Sequence, residues 1–389
     1  MSPPHTSGLL RPLVIAFAVA VAVRLAAALL TSFWPIPNEQ GLPVSPLDPA
    51  PSSDLSFYER SKDLYLVHPL TQILEGFANF YSAKDLQYPL IVAAPLFPML
   101  LAVFDYRSGN TLPMALFFVA VSCVVAWIWL RHFERSGAPL SWLLMLACLP
   151  HFVWFTVNVG TDLLSALFFA AFFSLYFNKP LSDRLLLWSL IALAGYLLTR
   201  PNGVSLLIFV VLDQLFLRKE GGSPLVRYSL LGALLATGPF SVFYFPYLSS
   251  FVDSTSKLTF FGAPAAEYYN GVFPDLPRWM DLFLSWSALV VSKLIYLVGL
   301  RPSYAGTNDL IVLVRALPGL LFLPGIIQIM VSKDRSLQLL IVLFIAPILL
   351  GAAQDRYTLP IQPLLLYYGL EFYKNVLGAL PWLRKKPAT

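Results

Sequence analysis

The chain has 389 residues, 58% hydrophobic and only 12% charged, with a net charge of +5. A soluble domain of that length needs far more polar surface, so lipid is the expected solvent and no soluble domain of ordinary size is left over. The Lys and Arg residues fall in small clusters between apolar runs, not on a continuous basic face, which argues against nucleic acid and makes them topology signals. Cys123 and Cys148 lie in separate apolar runs without metal or disulfide spacing, so redox chemistry is not expected.

Arg11 to Phe33 is the first predicted span. It is too long for a signal peptide and lacks a convincing small-residue cleavage site, so it reads as a retained anchor, with Trp34 as an interfacial aromatic. From Pro35 to Gln87 the chain carries Glu39, Asp48, Asp54, Glu59, Asp63, Glu75 and Asp85 and is too polar to enter lipid. Tyr88 to Phe104 is apolar but short and broken by Pro89, Pro95 and Pro98, which fits an interfacial or re-entrant helix better than a straight span.

Leu112 to Leu130 is a clean span ending in Arg131, His132 and Arg135, a basic cluster that belongs in the cytoplasm and puts the 35–87 loop outside. Further spans are Leu140 to Val157, Leu163 to Phe177, Leu185 to Leu198, Val204 to Leu217 and Val226 to Tyr247, with Lys179, Arg184, Arg218 and Lys219 in cytoplasmic turns. Asn158 to Asp162, Arg200 to Asn202 and Ser249 to Met280 then fall on the outer face.

Treating Leu282 to Leu300, Leu310 to Val331, Leu337 to Leu350 and Leu359 to Phe372 all as spans would place the basic tail outside. One of the two segments holding Lys293 or Arg315 is therefore read as non-spanning. The expected fold is an all-α integral membrane protein: a polytopic helical bundle of about ten to twelve spans. Residues 1–389 form one domain, with an external first loop, 35–111, that carries interfacial helices. The missing Asn-x-Ser/Thr sequon favours a bacterial inner membrane over an endoplasmic reticulum.

The sharpest local pattern runs from Asp54 through Tyr58, Glu59, Arg60, Lys62 and Asp63 to Tyr65. Helical spacing would put Asp54, Tyr58 and Lys62 on one face and Glu59 and Asp63 on another. Two readings stay open at this point: an amphipathic interfacial helix with a solvated charged face, or a carboxylate placed as a general base beside the membrane. Arg24 interrupts the first span and calls for a partner or a cavity. His68 and His151 have no metal-ligand companions, and Asp213 near the inner end of a span reads as solvated or paired there.

With Asp54 and Tyr58 in the first loop, a proline-punctuated segment from Tyr88-Pro89 to Leu96-Phe97-Pro98 and a span ending at Arg131, the chain resembles the multi-span (GT-C type) glycosyltransferases that use polyprenyl-phosphate sugars, in particular protein O-mannosyltransferases and aminoarabinose transferases. Gly160-Thr161-Asp162, Thr199-Arg200-Pro201-Asn202 and Asp355-Arg356-Tyr357 are similar to that family's motifs and keep their order. The chain departs from the family in having Asp54-Leu55 instead of paired acids, and it lacks an appended external domain.

The resemblance implies transfer of a sugar from a polyprenyl-phosphate donor to an acceptor hydroxyl at the external face, with inversion. Asp54 would be the base and Asp48 its rival. Asp162 would be a supporting acid, or simply an N-terminal charge facing the helix dipole. Arg356 and Arg200 would hold the phosphate, where single arginines would otherwise only snorkel to the interface. Tyr58, Glu59, Tyr357 and Lys84 complete the expected substrate-binding set, although Lys84 beside Asp85 also reads as an exposed ion pair. The expected partners are the lipid-linked donor, the bilayer and an acceptor glycan, lipid or protein, without nucleic acid. The sequence specifies no certain cofactor, and a divalent cation stays open. The loop carboxylates would suit a hard divalent cation, but their spacing matches no specific site. The rival function is a polytopic transporter or lipid flippase, with Arg24, Lys293 and Arg315 lining a pathway.

Overall fold

The computed structural model describes residues 10–37, 43–44, 58, 62, 96–107, 110–178, 180–200, 203–218, 232, 259–260, 263–300, 309–350 and 355–379. The helices in chain order are α1 (Leu10–Phe33), α2 (Leu96–Val103), α3 (Leu112–Arg135), α4 (Leu140–Ala147), α5 (Pro150–Val157), α6 (Thr161–Tyr176), α7 (Asp183–Leu197) and α8 (Val204–Leu212), which continues into a π-helical turn, Asp213–Leu217. They are followed by α9 (Ala265–Asn270), α10 (Arg278–Leu297), α11 (Asp309–Val331), α12 (Arg335–Leu350), a 3-10 segment (Asp355–Ile361) and α13 (Gln362–Ala379). The described strands are two-residue antiparallel pairs, Ile36–Pro37 with Pro43–Val44 and Thr259–Phe260 with Ala263–Pro264.

Among the described residues, four stretches are long and apolar enough to cross a membrane: Pro12–Phe33, Leu112–Arg135, Leu140–Val157 and Arg278–Leu297. The chain is thus a helical membrane protein, the class its composition demands. The residues of 88–104 that are described form only the eight-residue α2, too short to span.

The predicted span from Leu140 to Val157 is broken into α4 and α5. Pro150 has no N–H to donate and disfavours helical geometry at the residue before it; Leu149 accordingly sits at φ −56°, ψ 114°. At this break the carbonyl of Ala147 accepts from Arg24 Nη1 (2.9 Å). Arg24 is buried and also donates to Ser122 Oγ (2.7 Å) and to Ala20 O (3.0 Å). Thr156 Oγ1 donates to Ser122 Oγ at 2.7 Å. The cation in the first span therefore ties α1, α3, α4 and α5 together through short polar contacts, the form in which a charge is tolerated inside a bundle.

Lys293 is buried in α10 and donates to the carbonyl of Leu349 on α12 (2.8 Å). The sequence puts the non-spanning segment here or at Arg315; α10 is a continuous helix of 20 residues that qualifies as a span. The charge is accommodated by capping a carbonyl near the end of α12, without unwinding α10. The side chain of Arg315 lies outside the described residues. α11 is also continuous, although Pro318 and Pro324 lie within it. It packs antiparallel on α13 through glycines: Gly325 touches the backbone of Leu365, and Gly369 touches that of Leu321. Small residues let helix backbones approach this closely where lipid supplies no hydrophobic drive between them.

α6 and α7 form the antiparallel pair that carries the site. Ser182 caps α7 by accepting from Leu185 N (3.3 Å), and Gly195 leaves the space that the Phe168 ring fills. Phe169, Phe172, Phe173 and Tyr176 from α6 are buried in the main apolar core.

Candidate functional site

The polar centre of this pair lies where α6 begins and α7 ends. Gly160 is extended and precedes α6, which puts Asp162 in the first helical turn, facing the positive end of the peptide dipoles. Ser165 Oγ donates to Asp162 O (2.7 Å) and tightens that turn. Past the end of α7, the backbone N–H of Arg200 bonds back to Tyr196 O (2.8 Å), which directs the guanidinium toward α6. There Arg200 Nη2 forms an ion pair with Asp162 Oδ1, and both residues are buried.

The third element is the 3-10 segment. Thr358 Oγ1 donates to Leu297 O (3.2 Å), Gln362 Nε2 donates to Thr358 Oγ1 (3.2 Å), and Leu359 and Ile361 are fully buried. This anchoring fixes Tyr357, whose ring lies 5.1 Å from the Arg200 guanidinium carbon and 5.2 Å from that of Arg356. Arg356 Nη2 also donates to Tyr357 Oη (3.3 Å). Two guanidinium groups thus share one aromatic ring, and one of them holds a carboxylate.

Burial works against the Arg200 charge, but Asp162 above all, with Tyr196 and Tyr357, outweighs it, while Arg356 opposes. The net result holds the Arg200 proton more tightly than usual, so this cation is permanent. Its Nε is buried and has no hydrogen-bond partner among the described residues. A fixed guanidinium with an unspent N–H, next to a second guanidinium, is suited to an anion with several oxygens.

The structure brings together four of the residues expected from sequence: Asp162, Arg200, Arg356 and Tyr357. Tyr58 reaches the same region indirectly. Its ring meets Phe97 edge-on at 5.0 Å, and the preceding Leu96 donates its backbone N–H to Leu198 O (3.1 Å), two residues before Arg200. Asp54, Glu59, Lys84 and the rival base Asp48 lie outside the described residues, as does the side chain of Asp355. Among the described residues no group of three His, Cys, Asp or Glu side chains is placed to hold a metal ion.

At the opposite end of α6 lies a second polar cluster, in which Asp213 is paired, one of the two readings the sequence offers, with partners the sequence does not name. Tyr176 Oη donates to Asp213 Oδ2 (2.5 Å), Gln214 Nε2 donates to Tyr176 Oη (2.9 Å), and Arg218 Nε donates to Asp213 Oδ2 (2.7 Å). The Arg218 guanidinium carbon stands 4.5 Å from the Tyr176 ring centroid. Asp213 and Arg218 are five residues apart, a spacing that faces one side only because this turn is π-helical; α-helical pairing rules look three or four residues ahead.

No protein-family model, no curated protein sequence and no solved structure matches the chain. The functional reading therefore rests on the site itself and on the sequence pattern that leads to it.

Proposed function

We propose that the chain is a glycosyltransferase that moves a sugar from a polyprenyl-phosphate donor to an acceptor hydroxyl at the external face of the membrane. The observation that supports this reading is the Arg200–Tyr357–Arg356 arrangement, in which two guanidinium groups and one neutralising carboxylate meet at the ends of apolar helices. A lipid phosphate occupies that depth in a bilayer, and its charge grows as it leaves the sugar. In the proposed reaction the acceptor oxygen attacks the anomeric carbon and the bond from that carbon to the phosphate oxygen breaks. The electron pair leaves with the polyprenyl phosphate, and the acceptor proton passes to Asp54, with inversion. Arg356 and Arg200 stabilise the departing phosphate. Asp162 holds Arg200 in place, and Tyr357 holds both guanidinium groups. The whole chain, 1–389, acts as one domain in a bacterial inner membrane.

The rival reading, transport, needs intramembrane charges facing a pathway. Arg24 instead spends Nε and Nη1 on Ser122, Ala20 and Ala147. The test is release of free polyprenyl phosphate from a panel of polyprenyl-phosphate sugars by the purified chain in lipid, compared with Asp54→Asn and Arg356→Gln. Release from one donor that both substitutions abolish is the expected result. No release from any donor with any acceptor would overturn the proposal in favour of transport.

A further inference from the structure

Away from this cluster, α9 and α10 enclose an open groove of about 760 Å³, lined by Tyr269, Arg278, Phe283, Trp286, Val290 and Val291. Its apolar walls are not covered by the described residues: Phe283 is 66% and Trp286 54% exposed, and Trp279, beside the cation, is 70% exposed. The Tyr269 ring packs edge-on against Trp286 at 5.7 Å and fixes one wall. From Arg278 to Val291 the helix rises about 20 Å, comparable with the roughly 15 Å depth of one leaflet's hydrocarbon.

The cation at the mouth is held on a rigid base. Arg278 Nη1 donates to Asn270 O (2.5 Å) and more weakly to Asp281 Oδ2 (3.4 Å). Asp281 also accepts from Phe273 N (3.0 Å) and Ser285 Oγ (3.0 Å). Gly271, at φ +95°, passes so close to Asp281 that a Cβ there would strike the carboxylate. Arg278 Nε and Nη2 make no hydrogen bond to the described residues, which leaves two adjacent N–H edges at the head of an apolar channel.

We propose that this groove holds one bilayer glycerophospholipid with an anionic headgroup. Its phosphate takes two hydrogen bonds from Arg278 Nε and Nη2, and one acyl chain lies along Phe283, Trp286 and Val290. A planar guanidinium matches phosphate oxygens in pairs, and exposed Trp and Tyr mark the level at which headgroups lie. An anionic head is favoured over a zwitterionic one because Asp281, the acid that would meet an ammonium group, is already engaged. The site does not depend on the glycosyltransferase reading, since no sugar enters it.

Native mass spectrometry of the purified full chain, titrated with phosphatidylglycerol and with phosphatidylcholine, tests the proposal. Arg278→Gln should lower the preference for phosphatidylglycerol about fivefold, the effect of one cation at a membrane surface. Arg107→Gln, which removes another exposed arginine, should leave that preference unchanged. On the unaltered chain, a diazirine-bearing phosphatidylglycerol should crosslink within residues 283–290, a measurement that does not depend on how any variant folds. Unchanged preference in Arg278→Gln, or crosslinking elsewhere, would overturn the proposal. Preferential capture of a polyprenyl phosphate over phosphatidylglycerol would overturn it as well, by assigning the groove to a donor lipid.

Discussion

Asp162 in the first turn of α6 and Arg200 just past the end of α7 form a buried ion pair that closes one end of the antiparallel α6–α7 pair. Removing either charge alone strands the other in a poorly hydrated site, which costs about 3–5 kcal/mol. Asp162→Asn and Arg200→Gln should each lower the unfolding midpoint in detergent. The double variant should lose clearly less than the sum of the two, because it leaves no unpaired charge. Strictly additive losses would show that the two residues do not support one another.

The same pair makes a statement about pH. The folded state holds the Arg200 proton more tightly than the unfolded chain does, so its contribution is complete below the unfolded value and is lost only as pH rises through the still higher folded one. Between pH of about 6 and about 9, Arg200 should therefore impose no slope on stability. Melting midpoints measured across that range for the wild type and for the double variant Asp162→Asn/Arg200→Gln, which leaves no stranded carboxylate, should run parallel; a transition present only in the wild type would contradict the assignment.

Arg356 and Tyr357 divide their duties in a way that kinetics can separate. Arg356→Lys keeps the charge but loses the planar, paired donors, so it should lower kcat about tenfold or more if the guanidinium grips the leaving phosphate. Tyr357→Phe keeps the ring that both guanidinium groups face and loses the hydroxyl, with its contact to Arg356. It should retain most of the activity that Tyr357→Leu loses. Equal losses in the two Tyr357 variants would remove the ring from the argument.

The site's parts were legible in the sequence because each falls at an apolar-run boundary: Asp162 opens one run, Arg200 follows another, and Arg356 precedes a third. Residues at like ends of alternating helices share one side of the bundle, so helix order alone places them at one level, while packing decides which of them meet. The pairing itself was not legible, since nothing in a boundary says that Asp162 spends its charge on Arg200. The break between α4 and α5 was signalled by Pro150, yet hydropathy averaged across it into one span. Arg24 announced a need for partners, but Ser122 and Ala147 are chosen by helix packing at sequence separations of 98 and 123, beyond any local rule. The Asp213–Arg218 contact required a π-helical turn, which no residue type announces.

The glycine contacts between α11 and α13 make a prediction that carries its own control. A Cβ at Gly325 or Gly369 would run into backbone of the partner helix, which cannot rotate away as a side chain would. Gly325→Ala and Gly369→Ala should each destabilise the protein by about 1–3 kcal/mol. Gly378, near the end of α13, has open space where its Cβ would go, and Gly378→Ala should be neutral or stabilising by up to about 1 kcal/mol. Thermal unfolding of the three variants checks this, and a similar loss at Gly378 would show that glycine flexibility, not close packing, governs these helices.

Arg24 separates the structural and transport readings most cleanly. Its Nε and Nη1 hold Ser122, Ala20 and Ala147, so Arg24→Gln deletes contacts that join α1 to α3 and α4, and Arg24→Lys replaces a planar fork with a single ammonium that cannot span the same acceptors. Both should lower stability, Arg24→Gln on the order of 3 kcal/mol, because hydrogen bonds from a charged group are lost and buried acceptors are left unmet. Any loss of function should then follow the loss of folded protein and recover at lower temperature. A pathway-lining cation behaves in the opposite way: its substitution abolishes flux in a protein whose melting is unchanged. Unfolding midpoints measured beside activity for the two variants distinguish these outcomes, and unaltered stability in Arg24→Gln would return the residue to a transport pathway.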